Sequence, residues 1–95
     1  MKLDIKPSFM ASTLLLELPL RKGVLKMVEV AAQLSFQELL NHEGVHLEKN
    51  KDLRLPNGRP QYTLRVSRAA RAVADVVGDI LVLLYVEPDH DKVYR

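Results

Sequence analysis

The sequence predicts a small α+β fold: a short N-terminal strand, a helical hairpin, and a run of strands that supplies the core. Three observations carry this. Polar and apolar residues alternate in Lys2–Lys6 and again in Tyr62–Ser67, the period of a half-buried strand. Between them, from Ser8 to Leu34, apolar residues recur at spacings of three and four, the period of one helix face. The densest apolar stretch, Ile80–Val86, reads as a central strand covered on both faces. The 95 residues are expected to form one two-layer domain, 1–95.

The elements follow in order. Leu3 and Ile5 oppose Lys2, Asp4 and Lys6, and Pro7 ends the first strand. Ser8–Leu18 is the first helix, with Phe9, Met10, Leu14 and Leu18 on one stripe. Pro19 breaks it, because proline has no N–H and disfavours the α conformation in the residue before it. Leu20–Leu34 is the second helix, with Leu20, Val24, Met27, Val28, Ala31 and Leu34 on its apolar face. Gly23 is a weak point in it, costing about 1 kcal/mol relative to alanine. Ser35 and Glu38 have the spacing of a capping box for a short helix that ends near Asn41. Val45–Lys49 is a brief extended piece. Asn50–Pro60 is a loop centred on the turn signal Pro56-Asn57-Gly58. Tyr62–Ser67 is a strand. Arg68–Val77 fits two states: a helix capped by Ser67, which propensity favours slightly, or a strand running into a Gly78-Asp79 hairpin turn. Glu87-Pro88-Asp89 stops the last strand, and His90–Arg95 is a polar tail.

Composition narrows the function. There is no cysteine, hence no disulfide framework and no thiolate metal site. The longest apolar run is too short to span a membrane, and the N-terminus carries an acid and a proline where an export signal needs an apolar run. The expected location is the cytoplasm. A net charge of +2 means that any cationic surface must come from clustering. Walker, dinucleotide-binding and nucleophile-elbow motifs are absent.

Three stretches have chemistry to offer. His42-Glu43-Gly44-Val45-His46 matches the His-Glu-x-x-His zinc pattern, which works only when both histidines share one helix face. Gly44 and the preceding helix end favour a polar loop instead, so the expected metal content is none. Arg65, Arg68 and Arg71 cluster at the entrance to the apolar stretch, where guanidinium groups bind phosphate bidentately or simply form a solvated edge. His90, Tyr94 and Arg95 combine proton transfer, a stacking ring and a cation, or belong to a frayed terminus.

Several stretches together resemble the RelE/ParE toxin superfamily over nearly the whole chain. They are Gly44-Val45-His46-Leu47-Glu48-Lys49, then Leu64-Arg65-Val66 followed by Arg71-Ala72-Val73, then Gly78–Val86 ending in Asp89-His90-Asp91-Lys92-Val93-Tyr94. The sequence looks most similar to RelE-like domains at the front of some superfamily 1 helicases. The resemblance implies that the helical hairpin packs on a small, mainly antiparallel sheet, and that Arg68–Val77 is strand. It implies the toxin of a type II toxin–antitoxin system, a ribosome-dependent mRNA endoribonuclease that uses no metal and no cofactor. Basic residues would hold the phosphate and the RNA 2′-hydroxyl would attack. By position, Arg65, Arg71, His90 and Tyr94 stand in the catalytic set, and Lys49, Arg68 and Arg95 would bind phosphate. The implied partners are a cognate antitoxin, the ribosome and mRNA. Four positions depart from the pattern. Ala70 stands in place of a tyrosine, Thr63 in place of a second lysine, and Pro88 and Asp89 in place of basic residues. These losses of charge point to the alternative within the same superfamily: a non-catalytic binding module, either a helicase-associated domain with the helicase in cis or a gyrase inhibitor.

Overall fold

The computed structural model describes residues 1–94. The chain runs β1 (Lys2–Ile5), α1 (Pro7–Leu14), α2 (Leu18–Gln33), α3 (Phe36–Leu40), β2 (Glu48–Arg54), β3 (Pro60–Arg65), β4 (Arg71–Val77), β5 (Ile80–Glu87) and α4 (His90–Val93). The sheet order is β1-β5-β4-β3-β2, with β1 parallel to β5 and every other pair antiparallel. This is the expected α+β class, with the helical hairpin on one face of a mixed sheet. Phe9, Val24, Met27, Ala31 and Leu39 bury themselves against Leu64, Ala72, Ala74, Leu81, Leu83 and Val86. Each of the larger side chains contributes about 1.5–3 kcal/mol through burial.

The helical joint lies earlier than expected. α1 ends at Leu14, and Leu15 and Leu16 tighten onto the carbonyls of Ser12 and Thr13. Pro19 is not the break but sits in the first turn of α2, where a missing N–H costs nothing. Arg21 then reaches back and donates to the carbonyls of Leu14 and Leu16 at 2.7 and 2.8 Å, satisfying the open end of α1. The capping box of α3 is present: Glu38 N–H donates to Ser35 Oγ at 3.2 Å, and Ser35 N–H to Glu38 Oε1 at 3.0 Å.

Half of the expected loop 50–60 is strand. β2 pairs Glu48 with Thr63 and Lys49 with Tyr62, then shifts register before Arg54 meets Pro60. Asp52 takes a φ of 64° within that irregular stretch. The turn itself stands where expected, with Gly58 at φ 84°. Arg71–Val77 is strand, and Gly78 takes φ 61° between the paired residues Val77 and Ile80.

β5 is covered fully on one face only, contrary to expectation. Leu81 and Leu83 point to the helices; the register then shifts, so that Val86 and not Tyr85 returns to the core. Tyr85 is left 41% exposed. Part of the second face is covered by Val93 of α4, which packs with Leu55, Val73 and Leu84. Where β1 ends, backbone and hydroxyl groups take over the edge of β5. Lys6 N–H donates to Leu83 O at 3.0 Å, Ser8 Oγ donates to Leu84 O, and Ser12 Oγ accepts from Val86 N–H at 2.9 Å.

Candidate functional site

Residues directly opposite in an antiparallel pair share a face. Arg65 opposes Arg71, Arg71 opposes Glu87, and Thr63 opposes both Val73 and Glu48. All of these lie on the face away from the helical hairpin. α4 crosses its edge and brings in His90 and Tyr94. The result is a cleft of about 330 Å³ lined by His46, Glu48, Thr63, Arg65, Arg71, His90 and Tyr94. The four residues expected in the catalytic set, Arg65, Arg71, His90 and Tyr94, therefore line one cleft. Lys49 and Arg68 do not line it. Lys49 opposes Tyr62 and so takes the other face, and Arg68 is exposed in the turn between β3 and β4. Arg95 lies outside the described residues.

The two arginines are held differently. Arg71 is 8% exposed, and its Nη1 donates to the carbonyls of Ser67, Arg68 and Ala70 at 2.7, 3.2 and 3.0 Å. It organises the 67–70 turn. Among the described residues no fully buried side-chain nitrogen lacks a partner, so Nε and Nη2 of Arg71, which make no hydrogen bond, are not fully buried, and Arg71 lines the cleft. Arg65 is exposed; its backbone N–H donates to Val45 O at 2.6 Å, which ties the strand end to the 42–46 turn. Among the described residues neither guanidinium has a carboxylate within 4 Å. Like charges placed directly across two strands repel. An anion between them removes that repulsion, and a phosphate has the geometry to accept from both.

Groups able to move protons flank the arginines. His46 Nε2 lies 3.0 Å from Glu48 Oε2, with His46 in the left-handed region at φ 49°. A non-glycine residue there costs about 1–2 kcal/mol, and such strain concentrates at functional sites. On the other side, the rings of His90 and Tyr94 stand 4.7 Å apart. A buried polar network fixes that side. Gln61 Nε2 donates to Asn50 Oδ1 at 2.9 Å and to Val93 O at 3.3 Å, and Asn50 Nδ2 donates to Thr63 Oγ1 at 3.0 Å. Tyr94 Oη lies 3.5 Å from Thr63 Oγ1. Asn50, Gln61 and Thr63 thus hold α4 over the sheet.

Sequence reasoning missed His46 and Glu48 as members of this cleft. It read His46 only through the zinc pattern; His46 stands two residues before β2, and its left-handed turn, which no sequence spacing signals, brings its ring to Glu48. The structure removes the helical basis for that pattern. α3 ends at Leu40, and His42–His46 is a turn. His42 Nδ1 accepts from Val45 N–H at 2.9 Å and lines a different cavity from His46. Among the described residues no three His, Asp or Glu side chains form a metal-ligand group.

No protein-family model matches the sequence, and no curated protein matches it. One solved structure resembles the whole chain: a copper-bound point mutant of a toxin from Helicobacter pylori. The TM-score is 0.55, with 97% of each chain covered and 15% identity. At that identity the likeness is one of fold.

Proposed function

We propose that this chain is a toxin-like member of the RelE/ParE superfamily whose open sheet face cleaves mRNA. The observation that carries the reading is the pair Arg65 and Arg71, opposed on neighbouring strands with no carboxylate within 4 Å of either guanidinium among the described residues, and flanked by His46–Glu48 and His90–Tyr94. The resemblance to RelE-type sequences and the fold shared with a bacterial toxin support it.

The chemistry needs only these side chains and the RNA. A backbone phosphate sits between Arg65 and Arg71, whose N–H groups neutralise the charge that grows on its oxygens. The adjacent 2′-oxygen attacks phosphorus as Glu48, backed by His46, takes its proton. The bond from phosphorus to the 5′-oxygen breaks, and His90 supplies the proton to that leaving group. Tyr94 stacks against a neighbouring base. The products are a 2′,3′-cyclic phosphate and a 5′-hydroxyl. The ribosome would present the extended strand, and a cognate antitoxin would cover the face until it is needed. Both place the protein in the cytoplasm.

One observation favours a second reading. Glu87 opposes Arg71 in register, and Glu48 also lines the cleft, which weakens the field on an RNA strand. A non-catalytic binding module, helicase-attached or gyrase-directed, tolerates that better than a nuclease does. Purified ribosomes translating a defined message, with mapping of the mRNA ends, separate the two. The nuclease reading expects cuts inside translated codons, falling by about 100-fold in Arg65→Ala. Intact message under active translation removes it and leaves the binding module.

A further inference from the structure

A second cavity of about 220 Å³ lies on the other side of Arg65, where α2, the 42–45 turn and the end of β3 meet. Its wall is apolar: Met27, Val30, Val45 and Val66. The polar side chains in it are Lys26, His42 and Arg65, and each can only donate there. For His42 this follows from geometry. Its Nδ1 accepts from Val45 N–H, so that nitrogen is bare and Nε2 carries the hydrogen. Among the described residues, neither Lys26 nor Arg65 has a carboxylate within 4 Å. Gly23 brings the helix down on this corner: a Cβ there would stand 2.8 Å from Val66 O.

We infer that this cavity is a base subsite for guanine, a reading that rests on the cleft's being a nucleic-acid site. The apolar wall takes a flat ring. Three donors and no side-chain acceptor match an edge that only accepts, which among the bases is the O6/N7 edge of guanine. Adenine and cytosine place an amino donor on the corresponding edge, where it would face Lys26, His42 and Arg65. Uracil offers one acceptor on a smaller ring. Arg65 borders both spaces, so a base in the cavity belongs to a nucleotide next to the phosphate held by Arg65 and Arg71. The subsite gives the protein a sequence preference that the cleft, which holds a phosphate and stacks a base face without reading its edge, lacks.

The test is a titration of ¹⁵N-labelled protein with guanosine 5′-monophosphate and, separately, adenosine 5′-monophosphate. Amide shifts are expected at Gly23, Gly44, Val45 and Val66, with the guanine nucleotide bound about tenfold more tightly. Val30→Trp fills the cavity from a half-exposed position on α2 and should abolish those shifts. Lys26→Glu, at an exposed position, should weaken the guanine nucleotide by about tenfold and keeps the test open should the tryptophan variant fail to fold. Shifts confined to the open face, equal affinity for the two nucleotides, no binding, or indifference to both substitutions would overturn the subsite. Guanine binding at this corner in a protein that cuts no message would instead sink the nuclease reading and keep the subsite.

Discussion

Gly23→Ala decides between two effects of opposite sign. Helix propensity alone makes it stabilising by about 1 kcal/mol. The structure says otherwise. The new methyl carbon would stand 2.8 Å from the backbone oxygen of Val66 and 3.3 Å from its Cγ1. Val66 cannot easily retreat. Its N–H is bonded to Ala70 O at 3.1 Å, and the neighbouring Arg65 N–H is bonded to Val45 O at 2.6 Å. Forcing a methyl group into so close a contact costs about 1–3 kcal/mol. The net expectation is a loss of about 1 kcal/mol, or a fall in Tm of about 4–8 °C for a chain of this size. Thermal and urea unfolding followed by circular dichroism measure it. Val66→Ala supplies the control: it removes Cγ1 but leaves the carbonyl, so it should relieve little of the cost in the double variant. A Gly23→Ala protein more stable than the parent would refute the reasoning, and so would full relief by Val66→Ala.

Other expectations follow from the same geometry. Arg71→Ala takes the Nη1 donor from the Ser67 and Arg68 carbonyls, while Ala70 O keeps its bonds from Val66 and Ser67 N–H; it should cost about 2–4 kcal/mol in urea denaturation, while Arg65→Ala, with no side-chain hydrogen bond, should stay within about 0.5 kcal/mol. Arg65 is thus the cleaner probe of cleavage. Asn50→Ala leaves Gln61 and Thr63 short of partners, so a loss of about 1–3 kcal/mol is expected, with faster amide exchange in α4 than elsewhere. The Ser35 backbone N–H, then its side chain, holds the Glu38 carboxyl below its ordinary value of 4.5. A depressed carboxylate contributes stability that is complete above the ordinary value and is lost as pH falls through the folded one. Glu38→Gln should therefore flatten the acid limb of the stability curve, and an NMR titration that finds Glu38 at or above 4.5 would contradict this.

What could be read from the sequence was what depends on neighbours in the chain. The α3 capping box needs only Ser35 and Glu38, and the last hairpin turn needs only Gly78 between two apolar runs. Pro19 misled because proline signals both a helix stop and a helix start, and sequence alone does not choose between them. β2 was hidden because Glu-Lys-Asn-Lys-Asp-Leu-Arg has no apolar alternation; as an edge strand, it takes its conformation from pairing with β3. The register shift in β5 depends on packing against β4, so the outward turn of Tyr85 was out of reach. Arg65, Arg71, His90 and Tyr94 stood out in the sequence as two separate clusters, the resemblance alone put them in one set, and the sheet brings them to one cleft. The supporting network did not stand out, because Asn50 and Gln61 become partners only once the β2–β3 register is fixed.

The parallel pairing of β1 with β5 has a kinetic consequence. β3, β4 and β5 are joined by tight turns and can zip up locally, whereas β1 must find β5 across everything in residues 6–79. Each doubling of the intervening length adds about 0.6 kcal/mol of closure entropy, so this contact is the costliest in the sheet to form. During synthesis the first strand leaves the ribosome long before its partner exists. Until β5 emerges, the N-terminal strand has nothing to pair with, and Phe9 of α1 lacks the sheet that buries it. The finished sheet, and with it the cleft carried by β2, β3, β4 and α4, forms only once β5 and α4 have been made.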